Sequence, residues 1–168
     1  MSKAFTREDD DAPERPLVAT LPVLPPGTRN LLTPAGSTRL REELDQLTAE
    51  RARLQSLSPD TAAPTRLAAV DQRLAVLRAS LAGAEIIPSP PRPWDQVRFG
   101  ATVTVRAGAA DAERYRIVGV VEADPANDAV SWISPLARAL LNRRVGDRVP
   151  FRFPSDEETL EIVAITYE

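Results

Sequence analysis

The sequence predicts an α+β protein: an antiparallel helical hairpin followed by a small antiparallel sheet domain with one short helix. Two observations predict it. Leucines recur at three, four and seven residues in two runs separated by a proline-bearing break, and beyond a proline cluster the apolar period changes from seven to two. With 168 residues, 43% of them hydrophobic and 27% charged, the chain can build one or two modest cores. The boundaries that follow are a tail over 1–30, a hairpin over 31–87, a linker over 88–95 and a sheet domain over 96–168.

The first 30 residues hold prolines and the acidic run Glu8, Asp9, Asp10 and Asp11, a composition that favours an extended, flexible tail. Thr33 and Pro34 form a helix start: a threonine oxygen can accept a free backbone N–H, and proline fits the first helical position, where no hydrogen bond is lost. Leu40, Leu44, Leu47, Leu54 and Leu57 then make one apolar seam, with Arg51 at the skipped position. Outside that seam, Arg39/Glu43 and Arg41/Asp45 sit four residues apart, a spacing worth a few tenths of a kcal/mol per pair. The arm over 37–57 measures roughly 30 Å. Pro59 stops it, and residues 56–64 become the tip. Pro64 is placed to open the second helix, whose seam is Leu67, Val70, Leu74, Leu77, Leu81 and Ala84. Because the two seams satisfy each other, the expected state is a monomer.

Ile86 and Ile87 lead into a stretch with prolines at 88, 90, 91 and 93, which can neither continue a helix nor sit inside a sheet. Val97, Phe99, Ala101, Val103 and Val105 alternate with mostly polar residues, as do Tyr115, Ile117 and Gly119, so two strands are joined by a loop over 107–113. Residues 123–128 form a polar loop, 130–133 a short strand, and Ser134 with Pro135 repeats the cap-then-proline device before a two-turn helix over 136–141. Asn142 can take the left-handed conformation after it. Val145, Gly146 and Asp147 turn into a strand over 148–153, and 160–167 closes the sheet. Trp132 suits the core better than an interface, and Glu157 and Glu158 suit a solvated turn.

The residues also exclude much chemistry. There is no cysteine and no histidine, which removes thiolate nucleophiles, His-based triads and the usual zinc sites. No cofactor or metal is expected. Net charge is −3, spread as four basic and five acidic residues over 1–30, seven and seven over 31–87, and ten and twelve over 88–168. With no basic patch, strong direct nucleic-acid binding is not expected and a protein partner is. The N-terminus lacks the apolar run of a secretory signal and no segment nears the ~20 apolar residues of a membrane span, so the expected address is the cytoplasm.

Several of these segments resemble one family in order. Thr33, Pro34, Ala35 and Gly36, the run Leu40, Arg41, Glu42, Glu43, Leu44, and Glu85, Ile86, Ile87 resemble the two ends of the coiled coil of Gre-type transcription elongation factors. Residues 97–101, 115–119, 134–141 and 145–147 resemble that family's C-terminal domain, closest to its GreB-like branch. The resemblance implies an FKBP-like C-terminal domain that docks on the rim of the secondary channel of bacterial RNA polymerase while the coiled coil points inward. It places Ile133, Ser134, Pro135 and Leu136 on the polymerase-binding surface, and Ser58, Pro59, Asp60 and Thr61 at the hairpin tip. In the family the tip carries an Asp and a Glu that help hold a second Mg²⁺ for RNA hydrolysis. This chain departs from that pattern: its hairpin is shorter by about two helical turns per arm, and Asp60 is the one carboxylate between Arg51 and Val70. The expectation is a non-enzymatic polymerase-binding modulator of transcription with weak or no cleavage stimulation. The alternatives are a short-hairpin regulator of the type named for nucleoside diphosphate kinase, a peptidyl-prolyl isomerase suggested by the FKBP-like fold, or a coiled-coil adaptor for another protein.

Overall fold

The computed structural model describes residues 24–56, 63–153 and 157–168. The tip residues Ser58, Pro59, Asp60 and Thr61 lie outside the described residues, as does nearly all of the tail. Chain order is β1 (Leu31–Leu32), α1 (Pro34–Ser56), α2 (Ala63–Leu81), β2 (Glu85–Ile86), β3 (Ala101–Ala107), β4 (Glu113–Val118), β5 (Ala129–Ser131), α3 (Pro135–Leu140), β6 (Arg148–Arg152) and β7 (Glu157–Tyr167).

The hairpin is there, and its start follows the expected chemistry: Thr33 Oγ1 accepts the Gly36 amide at 2.9 Å, with Pro34 opening α1. Leu40, Val70, Leu74 and Leu77 are buried along the seam, while Leu44, Leu47, Leu54, Leu67 and Leu81 are half-buried, because two helices alone cannot enclose a full apolar stripe. Charge pairing runs across the arms. Glu43 accepts Arg73 at 2.6 Å, Glu50 accepts Arg66 at 2.7 Å, and Arg51, the polar residue at the skipped seam position, pairs with Asp71. Glu43 is thus committed to the opposite helix rather than to Arg39.

The base of the hairpin holds a feature that periodicity does not reveal. β1 and β2 pair in parallel, with Glu85 N donating to Asn30 O at 2.8 Å and Ile87 N to Leu32 O at 2.9 Å. Arg29 grips both carboxylate oxygens of Glu85 at 2.6 Å, and Asn30 Nδ2 donates to Ser80 O at 2.7 Å. Both ends of the hairpin are therefore fastened to each other.

The second half is a five-stranded sheet in the order β5-β4-β3-β7-β6 with α3 against one face. Three of its four pairings are antiparallel; β4 and β5 pair in parallel, so the sheet is mixed. The reason is the connection: after Val118 the chain makes a 3-10 turn at Val120–Glu122 and another at Pro125–Asn127, which bring it back to run in the same direction. The second turn is capped by Asp124, which accepts the Ala126 amide at 3.1 Å and Asn127 Nδ2 at 2.6 Å. Inward residues of β7 are Leu160, Ile162, Ile165 and Tyr167, a skip that departs from strict alternation. A register shift between Thr104 and Val105 of β3 accounts for it, since Ala164 and Ile162 face those two neighbours and leave Val163 as the extra residue.

The strand expected from Val97 begins later, at Ala101, because Phe99 and Gly100 turn, with Gly100 at φ 83°. Val97 is still fully buried, held by hydrogen bonds of 2.8 Å to Arg143 and Asn142. The proline segment is strapped to the sheet domain: Ser89 Oγ donates to Glu168 O at 2.6 Å, Trp94 Nε1 to Pro90 O at 3.0 Å, and the Trp94 ring lies 5.5 Å from that of Tyr167. Tyr167 OH completes the strap, donating to Gln96 O at 2.8 Å and accepting Arg98 N at 2.9 Å.

Tyr115 on β4 is half-buried against the core and its hydroxyl donates to the Glu113 carboxylate. Burial, then that hydrogen bond and the nearby carboxylate charges, push its pKa from 10.0 to about 12. In the unfolded chain the phenol ionises near its ordinary value, so the folded protein's advantage is intact below about pH 10 and is lost as pH rises towards about 12. Denaturant midpoints measured between about pH 9 and 11 should fall less steeply in Tyr115→Phe than in the parent chain.

Candidate functional site

Two parts of the molecule can meet a partner: the start of α3 and the far end of the hairpin. At α3, Ser134 Oγ accepts the Ala137 amide at 3.2 Å and Pro135 occupies the first turn. The helix lays one side on the sheet, so Leu136, Ala137 and Leu140 go into the core while Pro135 and Arg138 are exposed on the other. Asn142 follows with φ 66°, in the left-handed conformation expected of it. The four residues implicated by resemblance thus divide. Ile133 and Ser134 are half-buried and Pro135 is exposed, but Leu136 is 9% exposed and packs inward. Leu136 shapes this surface from behind. Trp132 also packs on the core, as do the aromatics Tyr115, Phe151 and Phe153, the last two meeting edge to face at 4.8 Å.

On the hairpin, the acidic residues nearest the tip in sequence, Glu50 and Asp71, are each engaged by an arginine of the opposite arm. Among the described residues no cluster of three or more carboxylates could hold a metal ion. Among the described residues, the carboxylates of the two arms closest to the tip are therefore ion-paired.

The sequence reading missed a third feature, where the hairpin meets the sheet domain. Glu122 is 3% exposed. Its Oε2 accepts the Thr33 amide at 2.9 Å and the Gly119 amide at 3.0 Å, and its Oε1 accepts the Thr33 hydroxyl at 2.5 Å. Thr33 Oγ1 therefore donates to the carboxylate while accepting Gly36 N, and the carboxylate sits at the N-terminus of α1, where the helix dipole favours negative charge. Beside it, Val121 joins Leu32, Leu40 and Leu77 in one buried cluster. No local signal could have disclosed this, since Thr33 and Glu122 are 89 positions apart.

By fold this is a protein that carries a two-helix arm on a sheet domain. Residues 91–167 match the family model described as "Transcription elongation factor, GreA/GreB, C-term". The chain is 35% identical over 155 residues to transcription elongation factor GreB of Neisseria meningitidis serogroup A, covering 83% of this chain and 95% of that protein. It is 34% identical over 151 residues to transcription elongation factor GreA of an Anaeromyxobacter species, covering 81% and 91%. The crystal structure of GreA factor homolog 1 of Thermus thermophilus is similar at 24% identity, covering 81% of this chain and 97% of that one, with a TM-score of 0.40. The chain belongs to the GreA/GreB family of transcription elongation factors.

Proposed function

We propose that this protein binds bacterial RNA polymerase in the cytoplasm, with its sheet domain on the secondary-channel rim and its hairpin directed into the channel. It modulates transcription there with little or no stimulation of transcript cleavage, and performs no chemistry of its own. One observation carries this reading: the carboxylates available at the hairpin end. Holding a catalytic Mg²⁺ in trans takes several oxygen ligands. Between Arg51 and Val70 the sequence has Asp60 alone, and the next carboxylates on either side, Glu50 and Asp71, are already ion-paired. The residues present do not fit that metal role. The start of α3, with Pro135 exposed and Ile133 and Ser134 half-buried beside it, supports docking by the sheet domain.

Binding of the full chain to purified polymerase, measured beside cleavage of RNA in backtracked complexes, tests both parts. The expected result is binding at low-micromolar concentration or tighter with cleavage near background. Absence of binding would remove the proposal, and vigorous cleavage would remove the argument from the tip. Asp60→Ala should change polymerase affinity by less than about threefold, under 1 kcal/mol. A larger loss would place the affinity in the tip rather than in the sheet domain.

A further inference from the structure

We infer that Glu122 is a positioning residue, whose carboxylate locks the base of the hairpin to the sheet domain and so fixes the direction in which the arm projects. The apolar cluster of Leu32, Leu40, Leu77 and Val121 holds the two parts together but is non-directional, as hydrophobic contact is. Hydrogen bonds to a carboxylate are directional, and three donors converge on this one: two from Thr33, the residue that starts α1, and one from Gly119, where β4 hands over to the turn carrying Glu122. The backbone around the carboxylate is shaped to admit it. A Cβ on Gly36 would stand 1.6 Å from Glu122 Oε1, and one on Gly119 would stand 2.0 Å from Leu31 O and 2.7 Å from Glu122 Oε2. A buried side chain with both oxygens engaged and two glycines making room for it is built for that geometry.

The lever arm shows why direction matters. α1 has 23 residues, about 34 Å at 1.5 Å each, so a rotation of about 10° at the joint displaces the far end by roughly 6 Å. Resting on the proposed function, the consequence is that loss of the lock spares docking by the sheet domain and misdirects the hairpin within the channel. Thr33 is the partner whose hydroxyl makes the lock bidentate.

The full chain is free of cysteine, so Gln55→Cys on α1 and Thr166→Cys on β7, both exposed, give a clean pair of spin labels for a distance distribution in the free protein. In the parent background the distribution should be narrow. Glu122→Gln and Thr33→Val should broaden it by about twofold or more at temperatures well below their own melting transitions, whereas Thr33→Ser, which keeps the hydroxyl, should restore the narrow form. Should Glu122→Gln fail to fold, Thr33→Val carries the test. Unchanged widths in folded Thr33→Val would overturn the inference, as would a lowered melting temperature without broadening, which marks a merely structural role. On polymerase, the broadened variants should bind within about threefold of the parent while losing its effect on transcription. If the parent does not bind polymerase, the proposed function fails and the distance result still decides the lock.

Discussion

Gly119→Ala is expected to destabilise the protein by about 2–3 kcal/mol, the upper part of the range for forcing an extra group into a packed site. For a chain of this size that corresponds to a fall in melting temperature on the order of 5–10 °C. The new methyl group would meet the Leu31 carbonyl oxygen at 2.0 Å. That oxygen belongs to β1, which is fastened to β2 on its other side, so relief requires the hairpin base and the sheet domain to separate. The effect is steric rather than conformational, because Gly119 sits at φ −62°, where any residue is comfortable. The cost comes from contact alone. Thermal unfolding followed by circular dichroism checks it, and a melting temperature within about 1 °C of the parent would show that the joint opens freely.

Leu77→Ala is expected to cost about 2–4 kcal/mol, as for other fully buried leucines whose removal leaves a cavity. Leu77 is 0% exposed and touches both halves of the molecule through its cluster with Leu32, Leu40 and Val121. The loss should appear as a melting temperature lower on the order of 10 °C, with helical signal lost earlier than in the parent. By contrast, the half-buried seam leucines further along the arm, such as Leu47, should cost less on truncation. A shift below about 2 °C would mean that the neighbouring side chains close the gap.

Much of this architecture was legible in residues close together in sequence. The leucine spacings, the Thr33–Pro34 and Ser134–Pro135 starts and the turn at Gly146 each depend on groups within a few positions, and each stands in the structure where its spacing places it. The parts that escaped are those whose partners lie far off. β1 and β2 have two residues each, too few to carry a period, and their pairing spans the whole hairpin. The parallel run of β5 on β4 depends on two 3-10 turns whose polar residues read only as a loop. The strap formed by Ser89 and Trp94 needs the C-terminal strand to be in place before it means anything. At the site, Pro135 lies on the surface while Leu136 beside it packs inward, because a helix of six residues against a core turns its leucines towards that core. Glu122 is the clearest case: an acidic residue in a loop-like stretch carries no mark of burial until the start of α1 is brought to it.

The clasp at the hairpin base has one more consequence. Since Arg29, Asn30 and the β1–β2 pair hold the outgoing and returning chain side by side, the arms beyond Leu40 and Leu77 form a closed detour whose length the rest of the fold does not sense. Matched heptads can be added to or removed from both arms while the seam keeps its register. The sheet domain is in this sense a fixed handle for interchangeable blades. A shortened arm on an otherwise intact handle is a permitted variation of the same tool, and reach becomes a quantity that can be tuned separately from grip.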